Sequence, residues 1–180
     1  MDEDEVRRRT RAWIERVVVG LGLCPFARAP LEAGRVRVAV TDAAGPGAVF
    51  EALDAEVDRL VEAAPSRIET TLLACPAFAA DDFEAFDELV GLVEAGLRER
   101  GLEGVLQVAS FHPHFRFGDA PADDPGHWTN RAPFPLLHLL REASVEAAVA
   151  EHPDPDAIWR RNVARMRALS LEARRRLRDG

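Results

Sequence analysis

Apolar residues recur along this chain with two alternating periods. Val6, Trp13, Ile14, Val17, Val18 and Leu21 fall at helical spacing and predict an amphipathic helix over 4–21, closed by Gly20, Gly22 and Pro25. VRVAV at 36–40 is β-branched and short, as a strand is. Val49, Leu53, Val57, Leu60 and Val61 then make the stripe of a helix over 48–63. TTLLAC at 70–75 reads as a second strand, and Asp81-Asp82-Phe83-Glu84 as an acidic capping box opening a helix over 82–99. VLQVASF at 105–111 is the third strand. Alternation of this kind predicts an α/β fold: one compact domain over 1–180, with three core strands, at least partly parallel, covered by helices. An antiparallel α+β arrangement is the alternative.

The pattern breaks after the third strand. Residues 112–135 carry prolines at 113, 121, 125, 133 and 135, with Gly118 and Gly126, and no period survives. Loops of this length inside a domain are functional or disordered. Phe115, Phe117, Trp128 and Phe134 argue for order, because disordered segments are poor in aromatic residues. Pro135 suits the first turn of a helix, Ser144 and Asp154 are further start signals, and extra C-terminal helices are expected, with residues 155–178 packing Ile158, Trp159, Val163, Met166 and Leu169 against the body.

Composition narrows the chemistry. The chain has 180 residues and a net charge of −8, which opposes a general nucleic-acid binder. Arg174, Arg175, Arg176 and Arg178 are read as a solvated helix face, with a local basic patch as the alternative. No apolar run has the length of a membrane span, and the charged start MDEDEVRRR lacks the apolar core of a secretory signal. Two cysteines make no disulfide scaffold, so a thiol-reduced, cytoplasmic protein is expected. All 23 basic residues are arginine, which removes lysine Schiff bases, a pyridoxal phosphate anchor and the P-loop lysine. No other cofactor is indicated, and nothing fixes the oligomeric state.

Ligands of parallel sheets bind beyond the carboxyl ends of the strands. Cys75 ends the second strand there and His112 and His114 end the third, so Cys75 and His112 come out at one edge if these strands are neighbours; Cys24 closes the first helix. Asn130 and Arg131 lead into LLHLLRE, where helical spacing would put His138, Arg141 and Glu142 on one face. Each of these has a plain structural reading beside a chemical one. Lone cysteines are usually small buried hydrophobes, and Cys24 at a helix C-terminus meets the wrong end of the dipole for a thiolate. His112 and His114 are either proton-transfer groups, metal ligands with Asp119, Asp123, Asp124 or His127, or histidines satisfied by loop carbonyls. The spacing matches no metal signature. Asp123 and Asp124 precede Pro125-Gly126 and read best as turn formers. Arg131 and Arg141 offer guanidinium forks for carboxylate or phosphate, unless Arg131 pairs with Glu142 or a loop aspartate. Asn130 orients a substrate or caps a turn.

Four stretches carry a resemblance: GLCPFA (22–27), ASFHPHFRF (109–117), DDPGHWTNRAPFP (123–135) and LLHLLREASVEAAV (136–149). They are similar to the motifs of domain-of-unknown-function family 1415, bacterial proteins of similar length. The resemblance spans almost the whole chain and brings no activity with it. It implies that Cys24, His112, Asn130, Arg131, His138, Arg141 and Glu142 lie on the family's signature positions. Phe115 and Phe134 stand where many relatives are expected to carry tyrosine, which removes a phenol from any chemistry there.

The resulting expectation is a small enzyme acting on a small anionic substrate, by hydrolysis or group transfer. Asn130, Arg131, Arg141 and His114 would hold the substrate. His112 or His138 would move a proton, with Glu142 orienting His138 and Cys24 or Cys75 as lesser participants. The alternative is a non-catalytic ligand-binding or interaction module that docks its partner on the aromatic loop 115–134.

Overall fold

The N-terminal apolar stripe folds as expected but changes pitch halfway. In the computed structural model, which describes residues 1–151 and 154–179, helix α1 spans Glu3–Trp13 and continues as a π-helical segment, Ile14–Val19. The wider turn shows in the bonds Gly20 N–H to Glu15 O (2.9 Å) and Leu23 N–H to Val18 O (2.8 Å). Gly20 closes it because a Cβ there would lie 2.3 Å from the Arg16 carbonyl oxygen, and Gly22 follows at φ +59°. A short helix, α2 (Arg28–Glu32), leads to strand β1 (Val36–Val40).

Helix α3 (Pro46–Glu62) carries the chain over the sheet to β2 (Thr70–Ala74), which pairs parallel to β1 in the register Val36↔Thr70. Helix α4 (Phe83–Glu99), capped by the Asp82 carboxylate on Ala85 N–H, returns it to β3 (Leu106–Phe111). The sheet has four strands where three were expected. Residues Leu136–Arg141 form β4, antiparallel to both neighbours, in the order β1-β2-β4-β3. The expected helix from Pro135 is thus a central strand. Leu136, Leu137, Leu139 and Leu140 satisfy a helical face and a two-sided strand equally well, and a strand covered on both faces reads as a nearly continuous apolar run.

Both faces of the sheet are covered. Helices α3 and α4 pack on Ala39, Leu73, Leu137 and Leu139; α1 and the π segment pack on Val38, Leu72, Ala74 and Leu136. The second layer is completed by Trp128, Phe134 and Met166 from later in the chain. Leu136, Leu137 and Leu139 are fully buried, each contributing roughly 1.5–3 kcal/mol.

Helix α5 (Glu142–Ala150) starts directly after β4, so Ser144 lies inside it rather than at its cap. Helix α6 (Pro155–Ala168) is capped by Asp154, as expected. As expected, extra helices end the chain, two of them over 155–178: Leu169 is extended at ψ 144°, and α7 (Leu171–Asp179) begins anew with Ser170 Oγ accepting from Ala173 N–H (3.1 Å). Two side chains tie α6 to the turn after the π segment. Asn162 Nδ2 donates to Leu23 O (2.6 Å) and Arg161 Nη2 to Gly22 O (3.1 Å).

Candidate functional site

The carboxyl ends of β1, β2 and β3 and the start of β4 meet at one edge. Backbone bonds stitch it: Cys75 N–H donates to Pro135 O (3.0 Å) and His112 N–H to Asn130 O (3.2 Å). Cys75 and His112 thus end at the same edge of the sheet, but not on neighbouring strands, because β4 lies between β2 and β3. Asn130 Nδ2 also donates to Ser110 O (3.3 Å), so this amide holds the incoming loop against the end of β3.

His112 is fully buried between Phe83 and Phe86. Its Nδ1 accepts from His114 N–H (3.0 Å), which leaves the proton on Nε2 to donate to Ala79 O (2.7 Å). The ring is neutral, held in one tautomer, and has no lone pair to spare. Burial is the main cause that lowers its pKa. His127 repeats the device: Nδ1 accepts from Phe117 N–H (3.1 Å) and Nε2–H donates to Pro121 O (2.7 Å). These two imidazoles brace the long loop from inside. His114 is different. Its side chain is half exposed, with Nε2 3.5 Å from an Asp81 oxygen. Among the described residues no three His, Cys, Asp or Glu side chains converge as a metal ion would require. Asp124 forms the turn read for it, accepting from Gly126 N–H (2.7 Å), and pairs with Arg167 (2.7 Å).

Cys75 is completely buried, and desolvation pushes its thiol up to about 12. Cys24 is less enclosed; burial raises it too, against the backbone N–H groups of Phe26 and Ala27. Both are thiols at neutral pH.

Strand geometry separates the trio that helical spacing would have grouped. Residues three apart on β4 point to opposite faces. His138 lies on the α1 face opposite Leu72 and Ala109. Its Nε2–H donates to Thr70 Oγ1 (2.7 Å), whose own proton goes to Leu139 O (2.5 Å). Desolvation pushes His138 down to about 4. Since Ala109 shares a face with His138, His112 three residues on belongs to the other face, among α4 residues. The two imidazoles thus lie on different faces of the sheet. Arg141 sits at the far end of the sheet, where its Nη2 donates to the carbonyls of Leu60 (2.8 Å), Ala63 (2.6 Å) and Ile68 (3.0 Å). It closes the C-terminal end of α3. Glu142 opens α5 beside it, its N–H on Val105 O (3.0 Å).

Arg131 is held at the opposite, loop-rich end. Its carbonyl accepts from Trp13 Nε1 (3.2 Å), its Nε donates to Phe115 O (3.3 Å), and its guanidinium lies 4.7 Å from the Trp128 ring centre. The same ring carries Arg178 at 5.4 Å and Arg174 at 5.7 Å, both from α7. Partial burial and then the charges of Arg178, Arg174 and Arg116 lower the Arg131 pKa, with no carboxylate acting on it. The expected pairing with Glu142 or a loop aspartate is not formed. Arg178 also donates from Nη1 to Pro113 O (3.2 Å) and pairs with Asp179. The carbonyls of Pro113 and Phe115, on either side of His114, are thus held by Arg178 and Arg131. Between Trp128, Arg131, Arg174 and Arg178 remains a crevice of about 10 Å³. The aromatic residues of this loop are packed inward: Phe115, Trp128 and Phe134 are buried and Phe117 is half-buried.

Arg174 and Arg178 were legible as a basic run but not as partners of Arg131. Their signal was spacing: four apart, they share the face of Leu177, which packs on the core, while Arg175 and Arg176 stay exposed.

Fold and site together define a mixed α/β protein with a four-stranded sheet, whose loop-rich edge is braced by buried histidines and a cluster of guanidiniums on one indole. The chain belongs to a family of proteins of unknown function (DUF1415), whose profile matches residues 5–176. No curated protein and no solved structure matches it. Among the described residues no helix is long and apolar enough to cross a membrane.

Proposed function

We propose that the protein binds a small anionic molecule, a carboxylate or phosphate, at the mouth of the crevice formed by Arg131, Arg174 and Arg178. The carrying observation is that three guanidiniums lie within 6 Å of one indole, while among the described residues only Arg178 of the three has a carboxylate of its own. Arginine keeps its charge under this repulsion, so an anion relieves it. The crevice is too small to enclose a ligand, which places the anion at its rim. His112, Cys75, His138 and Arg141 belong, in this reading, to the framework. The setting is the cytoplasm, with no membrane and no nucleic acid as partner, in keeping with the net charge of −8.

Thermal-shift titration with inorganic phosphate and small dicarboxylates tests the reading. Stabilisation is expected for the wild type and loss of it for Arg131→Gln. A charge-assisted pair contributes roughly 1.5–3 kcal/mol, so the affinity should fall about 10- to 100-fold. Unchanged titrations in the variant sink the proposal.

An enzyme acting on that anion by hydrolysis or group transfer is the second reading. The observation favouring it is His114, the half-exposed imidazole between the two carbonyls held by Arg131 and Arg178, with Asp81 near it. Release of inorganic phosphate from a phosphate ester incubated with the protein, lost in His114→Ala, separates it from plain binding. The interaction-module alternative lacks its exposed aromatic patch, because those rings are packed inside.

A further inference from the structure

We infer that the ligand is a chain of anionic groups, an oligophosphate, lying along the seam between α1 and α7. This rests on the anion-binding reading and extends it along the molecule. Beside the Trp128 crevice is a second cavity of about 120 Å³, whose lining includes Arg8, Arg9, Arg16 and Arg178 with Glu5 and Asp179. That space holds several waters and has room for a phosphoryl group. Arg178 lines both spaces, so they adjoin at its side chain.

Charge favours a polyanion over a single one. The two spaces together are lined by six guanidiniums and two carboxylates, in a chain whose net charge is −8. Both carboxylates are already taken: Glu5 by Arg8, with contacts of 2.9 and 2.6 Å, and Asp179 by Arg178. Arg9 stacks 4.8 Å from the Phe134 ring centre, and Arg16 donates only to the Ala12 carbonyl (3.3 Å). With Arg131 and Arg174 they make four guanidiniums that lack an ion pair among the described residues, two on each side of Arg178. On α1 the cavity residues recur at helical spacing, with Ala12 as the small residue between the arginine side chains. A row of planar forks flanking one shared guanidinium suits successive phosphates, each offering oxygens to two neighbours. The phosphate chain could belong to free pyrophosphate or tripolyphosphate, or to a nucleoside triphosphate; the test separates these.

Isothermal titration of the full chain at about 0.15 M ionic strength with phosphate, pyrophosphate, tripolyphosphate and ATP decides the matter. Affinity should rise about tenfold or more from phosphate to tripolyphosphate. The double variant Arg9→Gln/Arg16→Gln should return tripolyphosphate to the affinity of phosphate and leave phosphate itself unchanged. Asp179→Asn should tighten tripolyphosphate by freeing Arg178, an effect that a merely structural role for Asp179 does not produce. ATP binding more tightly than tripolyphosphate identifies a nucleotide; equal or weaker binding identifies the free oligophosphate. Tripolyphosphate no tighter than phosphate, with phosphate still lost in Arg131→Gln, overturns the extension and leaves the anion site standing. Absence of binding by either anion overturns both. Tighter, competing binding of a single-stranded oligonucleotide overturns it in favour of nucleic acid.

Discussion

A histidine in a motif announces chemistry only until its two nitrogens are accounted for. His112 and His127 each spend one nitrogen on a backbone N–H and the other on a carbonyl, and His138 spends its Nε2–H on Thr70. Burial of neutral imidazoles has a pH consequence. The folded pKa of His138 is about 4 against an ordinary 6.5, and His112 is shifted in the same direction. Below pH 6.5 the unfolded chain takes up protons that the native state refuses, so stability falls as pH drops from there towards 4. His138 keeps some accessibility, so its share is at most about 3 kcal/mol. Urea denaturation at pH 7 and pH 4.5 should show His138→Gln with a smaller acid loss than the wild type. An identical loss in both proteins would remove His138 as the cause.

At the scale of elements, β4 decides the layout of the candidate residues. As a helix, 136–142 would have put His138, Arg141 and Glu142 on one face. As a central strand it sends His138 to the α1 side and Arg141 to the α3 end, where it closes three carbonyls. The energetic role of Arg141 is therefore structural. Its guanidinium is a charged donor to three backbone carbonyls, and among the described residues its Nε is buried without a bond. Arg141→Met should cost about 2–4 kcal/mol in urea denaturation while phosphate binding stays as in the wild type. Lost phosphate binding in a folded Arg141→Met protein would return Arg141 to the ligand site.

Over the whole molecule, charge is unevenly spread. An acidic chain gathers unpaired arginines where α1, the 112–135 loop and α7 meet. Helix α7 supplies two of these guanidiniums and no buried residue. It contributes to the site far more than to the core. A chain ending at Ser170 should keep its sheet, with a cooperative thermal transition within a few degrees of the full chain. Its affinity for phosphate should fall about tenfold or more, since Arg174 and Arg178 leave with the helix. Collapse of the fold, or unaltered phosphate affinity, would contradict this division of roles.

Local pattern was enough for what depends on local pattern. The stripe of Val49, Leu53, Val57 and Leu60, the β-branched run at 36–40 and the cap at Asp154 each specify an element through period or capping chemistry, and the structure has them, while the box read from Asp81 to Glu84 gives way to a cap at Asp82. The placing of Cys75 and His112 at one edge followed from strand direction, although β4 inserts between the two strands that carry them. What local pattern left open was LLHLLRE, because apolar residues on both sides of a strand and on one side of a helix spell the same short run. Only pairing with β2 and β3 settles it. The same holds for the arginines. Arg131 and Arg178 are far apart in sequence, and no periodicity links a loop residue to a helix that folds back over it. Tertiary packing around Trp128 brings the guanidiniums together, and that packing turns a basic run at the chain's end into part of the candidate site.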